Sequence, residues 1–144
     1  MLPIKLRISD EFLQEEERNG FIISSEMKEL WAVSLDLVRE LLDFCSNNNI
    51  QVFAGYGTLL GAVRHDGFIP WDNDVDLMMK RKDYDRFCRI ANFDFPYFLQ
   101  TEKTDRGFSR GFARLRNSMT TAVQIYERNM KITYNQDFYR YFPS

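Results

Sequence analysis

Residues 56–85 read YGTLLGAVRHDGFIPWDNDVDLMMKRKDYD, and this stretch decides the fold. Its first part, residues 58–64, is a run of small and aliphatic side chains that predicts a short helix. An Asp-Gly pair at 66–67 predicts a turn. Alternating apolar residues then predict a strand, carried by Val75, Leu77 and Met79. Polar residues therefore gather where a predicted helix begins and where a predicted strand passes.

Outside this stretch, the apolar periodicity predicts further helices and strands. Spacing typical of an amphipathic helix covers residues 26–46, with Ser24 or Ser25 as the N-cap. The other predicted elements are a short helix at 11–18, a strand at 50–54, a turn at 55–57, a helix at 81–91, and strands at 97–101, 111–116 and 120–126. This alternation predicts an α/β or α+β domain, with a small mixed sheet flanked by helices.

The composition narrows the chemistry that the chain can perform. It has 144 residues, the size of one domain, with 19 Lys and Arg against 21 Asp and Glu, so we expect no nucleic-acid partner. No apolar run approaches the roughly 20 residues of a membrane span, and residues 1–7 lack the long apolar stretch of a signal peptide, so we expect a cytoplasmic location. Cys45 and Cys88 lie on apolar helix faces and are expected to be free, partly buried thiols, with a disulfide as the alternative. Because His65 is the single histidine, metal sites that need two histidines are excluded. The chemistry that remains is that of carboxylates.

An acidic cluster occupies the predicted strand. If Asp74 and Asp76 lie on a strand, they share a face roughly 6–7 Å apart, and their repulsion favours a bound cation or a shared proton. Mg²⁺ prefers such oxygen ligands, while a solvated acidic turn is the alternative. An EF-hand loop beginning at Asp72 is disfavoured, because Leu77 replaces the required glycine and Asp83 replaces the final glutamate.

Gly57 and Thr58 form a second candidate element. A glycine before a helix lets backbone N–H groups approach an anion, and Thr58 can cap the helix or bind a phosphate oxygen. An ordinary helix start would look the same. Residues 59–73 separate Thr58 from Asp74. A phosphate-binding turn followed by metal-binding carboxylates is the layout of a nucleotidyl-transfer site.

Four basic side chains are candidates for substrate contacts. Arg64 and His65 end the predicted short helix, where they either contact a phosphate or favourably complement the helix C-terminus. Arg114 and Arg116 share one face of a predicted strand, where they form a solvated edge or reach the same anionic ligand.

Four segments of the chain form a longer pattern: YGTLLGAVRHDGFIPWDNDVDLMM, RKDYDRF, YFLQT and FARLRNSMTT. Together they resemble the LicD family, the phosphorylcholine transferases of bacterial surface glycans, which is related to fukutin-type proteins. The resemblance covers residues 24–136 and divides the chain into an N-terminal extension, 1–23, and a LicD-type domain, 24–144. One departure is Asn73, where the family usually has a carboxylate.

The resemblance implies a nucleotidyltransferase (polymerase-β-like) fold and a metal-dependent transfer of phosphocholine or a similar alcohol phosphate. CDP-choline or a related nucleotide-activated donor would be one partner, and a glycan or glycolipid of lipopolysaccharide or teichoic acid the other. It places Asp74 and Asp76 at Mg²⁺ or Mn²⁺, Gly57 and Thr58 at phosphate, and Arg64 and His65 along the site. A transferase that uses such acceptors would act at the inner face of the membrane. The alternative is a non-catalytic remnant that binds a nucleotide or a partner.

The end of the chain departs from the family. Members continue into GIFIDIFPLD, whose first aspartate is the third active-site carboxylate, whereas residues 137–144 read DFYRYFPS and place Arg140 there. Deleting two bases from a coding sequence for the family strand yields these residues and a stop codon, so we expect a frameshift and impaired activity. A natural aromatic edge strand is the alternative. Exposed aromatics at residues 139–142 are expected to promote self-association.

Overall fold

A computed structural model describes residues 1–120, and the chain divides into two compact units, Met1–Phe87 and Cys88–Ser144. The elements of the described residues are β1 (Glu16–Arg18), β2 (Phe21–Ile23), α1 (Ser25–Asn47), β3 (Phe53–Ala54), α2 (Tyr56–Arg64), β4 (Leu77–Met78), α3 (Arg81–Ile90), β5 (Tyr97–Gln100) and β6 (Arg114–Asn117). The mixture of helices and strands agrees with the predicted α+β class. The predicted strand at 120–126, Arg140 and the residues of the frameshift and self-association hypotheses lie outside the described part, apart from Thr120.

The long helix α1 confirms the helix predicted over residues 26–46. The Ser24 hydroxyl accepts a hydrogen bond from the Met27 amide at 3.3 Å, which satisfies one of the unpaired N–H groups at the helix start. The helix ends at Asn47, and Asn48 is its C-cap residue. Its inner face buries Trp31, which is 1% exposed, against the rest of the first unit.

The strands form three separate two-stranded antiparallel sheets, so the prediction of one mixed sheet is wrong for the described residues. In the sheet nearest the polar stretch, Phe53 pairs with Met78 and Ala54 with Leu77. This pairing is two residues long on each side, because the chain leaves extended pairing at Gly55 to begin α2. The strands predicted at 50–54 and around Val75 are therefore shorter than expected.

The short helix predicted at residues 11–18 is also wrong, because Glu16–Arg18 forms a β-hairpin with Phe21–Ile23. The connecting residues Asn19 and Gly20 have φ angles of 54° and 80°. Asn-Gly with both φ angles positive is the preferred two-residue turn of a hairpin. This turn signal outweighed the acidic, helix-compatible composition of the preceding residues.

Aromatic stacking organises the core of the first unit. The Trp31 indole stacks on the Phe68 ring with centroids 4.7 Å apart and planes 7° apart, while Phe44 meets Phe87 edge to face at 5.8 Å. Gly61 of α2 is buried, and a Cβ there would overlap the carbonyl oxygen of Gly67. The absence of a side chain at Gly61 therefore lets the loop after α2 fold back onto the helix.

The N-terminal segment is held to α1 by a buried carboxylate. Asp36, only 1% exposed, accepts hydrogen bonds from the Lys5 amide at 3.0 Å and the Leu6 amide at 2.7 Å. Two charge-assisted bonds to backbone amides offset the cost of burying this charge. Residues 1–23 therefore belong to the same compact unit as α1.

The second unit contains the hairpin-like pair β5 and β6. Tyr97 pairs with Asn117 and Gln100 with Arg114, which confirms strands near both predicted positions. No helix within residues 1–120 is both long enough and apolar enough to cross a lipid bilayer.

Candidate functional site

The start of α2 is bonded directly to the acidic segment. The Asp76 amide donates to the Thr58 hydroxyl oxygen at 2.8 Å, and the Gly55 amide donates to the Asp76 carbonyl at 3.0 Å. Gly55 is the N-cap of α2, so the predicted turn at 55–57 is wrong and Thr58 already lies inside the helix. Thr58 therefore does not cap its own helix. Its hydroxyl joins the two elements that the sequence placed apart, and its O–H remains able to donate to a ligand.

The first residue of α2 has a strained backbone. Tyr56 adopts a φ angle of 43°, in the left-handed region, and its side chain is exposed. A non-glycine residue in this conformation costs roughly 1–2 kcal/mol, and such residues concentrate at ligand-binding sites. The strain lies beside Gly57 and Thr58, the two predicted phosphate contacts.

Asp72 is a site residue that the sequence analysis missed. A Cβ on Gly57 would overlap the Asp72 carboxylate, so this carboxylate lies directly against the first turn of α2. Its other oxygen accepts the Asn73 amide at 3.0 Å, and the Asp72 carbonyl accepts the Trp31 indole N–H at 2.7 Å. A carboxylate near a helix N-terminus is electrostatically favourable. The signal for it was present in the sequence as the first acidic residue of DNDVD.

Asp74 and Asp76 do not lie on a strand, because β4 begins at Leu77. The positions of these two carboxylates are therefore not set by the alternation of side chains along a strand. Asp76 is half-buried and held through its main chain to α2, whereas Asp74 is exposed. Together with Asp72 they give the segment only oxygen ligands, the donor type that Mg²⁺ prefers.

Within residues 1–120, no three His, Cys, Asp or Glu side chains converge to enclose a metal ion. Mg²⁺ is commonly held by one or two carboxylates, with the remaining positions filled by water and substrate phosphate. The donor set of this segment therefore fits a magnesium ion that shares its coordination with a ligand. It does not fit a closed structural site.

A cavity of about 590 Å³ opens in the first unit beside this segment. Its polar lining includes Thr58, Asp72 and Asp74, together with Asp66 and Arg18, and its wall is largely apolar. This volume lies in the usual range of small-ligand sites. Among the described residues, the cavity lining therefore combines three carboxylates, a hydroxyl and one guanidinium with an apolar surface.

Arg64 and His65 lie at the other end of α2. Arg64 is in the last turn and exposed, and its Nε donates to His65 Nδ1 at 3.4 Å. His65 is the C-cap residue and meets the Trp71 ring edge to face at 6.1 Å. The Arg64 guanidinium fits a cation at a helix C-terminus, and the cavity wall formed by described residues includes neither Arg64 nor His65.

Arg114 and Arg116 belong to β6 in the second unit, two residues apart, and so share a strand face. The Arg114 guanidinium lies over the Phe112 ring at 5.4 Å, and Arg116 Nη1 donates to the Gln100 side-chain oxygen at 3.2 Å. Both side chains are half-buried, so they do not form the solvated strand edge that was the alternative. Their contact with an anionic ligand stays a prediction.

The two cysteines are free, as expected. Cys45 is 1% exposed, and burial, aided by the nearby Asp83 charge, raises the pKa of its thiol to about 11. A neutral buried thiol is a poor nucleophile. Cys45 is therefore part of the core, and Cys88 is half-buried.

Comparison with known proteins agrees with this arrangement. Residues 49–142 match the family described as LicD/FKTN/FKRP, nucleotidyltransferase domain. The chain is 43% identical over 64 residues to the lipopolysaccharide cholinephosphotransferase LicD of Haemophilus influenzae, covering 44% of this chain and 24% of that protein. It is 37% identical over 94 residues to an uncharacterised Rickettsia typhi protein, covering 61% of this chain and 29% of that protein.

An uncharacterised Rickettsia prowazekii protein is 38% identical over 72 residues, covering 49% of this chain and 26% of that protein. The chain thus spans less than a third of each of these relatives. No solved structure matches it. Because the matched domain, residues 49–142, occupies well over half of the sequence and contains the joined α2 and acidic segment, the chain belongs to the LicD family.

Proposed function

We propose that this chain forms the donor side of a LicD-type phosphotransferase. The reaction would move phosphocholine, or a similar alcohol phosphate, from a CDP-activated donor to a hydroxyl of a cell-surface glycan. The observation that carries the proposal is the bond between Thr58 and Asp76, which joins the helix start that we expect to bind phosphate to the acidic segment. Family membership and the name of the Haemophilus relative support it. The same family match supports a nucleotidyltransferase fold for the matched residues.

In this proposal Asp74 and Asp76 hold a magnesium or manganese ion. The bound cation supplies positive charge that offsets the charge of the donor phosphates. The Asp72 carboxylate beside Gly57 makes this cation necessary for binding at α2. A phosphate approaching the helix start there would meet a like charge, and only a cation between them removes the repulsion.

The residues around the cation would bind and orient the donor. The Thr58 hydroxyl, already accepting the Asp76 amide, has its proton available for a phosphate oxygen. The unpaired amides of the first turn of α2 add positive potential at the same place. Arg64, His65, Arg114 and Arg116 remain candidates for further contacts with the donor or acceptor. Such contacts would position the reacting groups, which is the larger part of catalysis in phosphoryl transfer.

The test is metal-dependent binding of the donor, measured by titration calorimetry on the full chain with CDP-choline in the presence and absence of Mg²⁺. We expect binding with Mg²⁺, and a loss of about 10-fold or more in affinity in Asp74→Asn and Asp76→Asn, because each removes a charged ligand. Asp43→Asn is the matched control, because Asp43 is an exposed carboxylate of α1 whose ion pair with Arg39 is 3.8 Å long. Equal binding with and without metal in all variants would overturn the metal assignment.

A second measurement separates catalysis from binding. Release of CMP from CDP-choline in the presence of a glycan acceptor would support transfer by this chain. Metal-dependent binding without CMP release would instead favour the alternative function, a nucleotide-binding remnant. No binding of CDP-choline under any condition would refute both, and would leave the remnant that binds a partner as the alternative.

A further inference from the structure

The hairpin formed by β1 and β2 places an arginine at the candidate site. Arg18 pairs with Phe21 at the hairpin turn, and Phe21 meets the Trp71 ring edge to face at 5.7 Å. This contact fixes the hairpin against the segment that leads into Asp72. The hairpin lies outside the residues that match the family, 49–142, yet Arg18 lines the same cavity as Thr58 and Asp74.

Arg18 belongs to a three-residue charge cluster with Glu16 and Lys28. One carboxylate oxygen of Glu16 accepts Arg18 Nε at 2.7 Å and pairs with Arg18 Nη2 at 2.5 Å, while the other oxygen pairs with Lys28 Nζ. Hydrogen bonding to Lys28, together with Arg18, lowers the pKa of Glu16, so the carboxylate is charged at neutral pH. Two cations and one carboxylate leave the cluster with one excess positive charge.

The position of Lys28 decides where this excess charge is accessible. The Lys28 side chain is 3% exposed, with its ammonium over the Phe12 ring at 5.0 Å and the Trp31 ring at 5.5 Å. The Arg18 side chain is 30% exposed and lies over the Trp31 ring at 5.8 Å. A buried ammonium cannot reach a ligand, so the charge of the cluster is presented to the cavity by Arg18.

The geometry of Arg18 suits a phosphate group. The carboxylate and the indole hold the guanidinium in one orientation, and within residues 1–120 its Nη1 donates to no protein group. A guanidinium fork matches phosphate oxygens and loses little freedom on binding when it is already oriented. The other charged side chains that line the cavity from the described residues are acidic, namely Asp66, Asp72 and Asp74. Among the described lining residues, Arg18 is therefore the cationic group, and the acidic groups come from the loop after α2, at Asp66, and from the acidic segment, at Asp72 and Asp74.

We propose that Arg18 binds the diphosphate of the nucleotide donor in the cavity that Asp74 also lines, and that Glu16 and Lys28 are its positioning residues. This inference rests on the proposed function, because it takes the ligand of the cavity to be a nucleoside diphosphate. It assigns part of the site to a hairpin outside the family-matched residues. A purely structural Arg18 would stabilise the hairpin without discriminating between ligands with and without phosphate.

The experiment compares CDP with cytidine in the presence of Mg²⁺, by titration calorimetry on the full chain. In Arg18→Gln we expect CDP to bind about 10- to 100-fold more weakly, as for loss of a charged hydrogen-bonding partner, while cytidine affinity is unchanged. Arg39→Gln is the matched control, because Arg39 is an exposed arginine of α1 outside the cavity lining. Unchanged CDP affinity in folded Arg18→Gln would overturn the assignment. An equal loss for CDP and cytidine would do the same, because it indicates a structural role.

If Arg18→Gln does not fold, Arg18→Lys provides the test, because it keeps a charge opposite Glu16 and removes the fork. A loss of about threefold or more in CDP affinity, with cytidine unchanged, supports the assignment, and equal affinity for both ligands refutes it. Failure of the wild-type chain to bind CDP at all is a different result. It refutes the proposed function itself.

Discussion

Replacing Thr58 with valine tests the bond that joins α2 to the acidic segment. Valine has the shape of threonine and a similar helix propensity, so the change removes the hydroxyl and little else. The Asp76 amide, which donates to that hydroxyl at 2.8 Å, then loses its acceptor. A hydrogen bond contributes about 0.5–1.5 kcal/mol net, and an orphaned donor costs about 1–3 kcal/mol when buried. Both residues are half-buried, so a loss of about 1.5 kcal/mol in unfolding free energy is expected.

Urea unfolding followed by circular dichroism measures this change. With a denaturant slope of about 1.5 kcal/mol/M, a loss of 1.5 kcal/mol lowers the unfolding midpoint by about 1 M. Thr58→Ser is the matched control, since serine keeps the hydroxyl and should stay within about 0.5 kcal/mol of wild type. Magnesium affinity should fall in Thr58→Val as well, because the main chain of Asp76 is no longer held to the helix.

The reasoning is refuted if Thr58→Val and Thr58→Ser unfold at the same urea concentration as wild type. In that case water replaces the hydroxyl without cost, and the bond does not position Asp76. A loss of stability with unchanged magnesium affinity would keep the structural role of the bond and separate it from metal binding.

Two other predictions concern the core. Gly61→Ala should destabilise the chain by about 1–3 kcal/mol, because the new Cβ meets a backbone oxygen that cannot move aside. Thermal unfolding measures this loss. Gly111→Ala is the control and should be nearly neutral, because the space around Gly111 is open. Cys45, with its thiol pKa raised to about 11, should resist alkylation at pH 8 in the native chain, while the less buried Cys88 reacts first. Mass spectrometry of the labelled peptides measures the order in which the two cysteines are alkylated. Labelling of Cys45 as fast as Cys88 would contradict its burial.

Local patterns predicted α1, α2 and α3 well, because each depends on signals close together in the chain, whereas the helix predicted at residues 11–18 was wrong. The apolar spacing of α1 and its serine cap were sufficient to place it over nearly its full length. The hairpin of β1 and β2 was not predicted, although the sequence contains its Asn-Gly turn at residues 19–20. The acidic residues before that turn were weighed by composition, and turn geometry decided the outcome instead.

The candidate site was predicted in composition but not in geometry. Asp74, Asp76, Gly57 and Thr58 were all chosen from sequence, and the structure brings the backbone of Asp76 to Thr58. The expected strand through the carboxylates is absent, so alternation of side chains does not explain their position. Hydrogen bonds to a different element hold the segment in place, and such partners cannot be inferred from spacing alone.

By itself the sequence determined the family, the helical content and the residue types available for chemistry. Those properties follow from local periodicity, composition and a long specific motif. Tertiary structure alone decided that Asp72 lies against Gly57, and that Arg18 reaches the cavity from a hairpin outside the matched residues. The physical reason is that these contacts join residues far apart in the chain. Their free energy depends on packing around Trp31, which no single segment encodes.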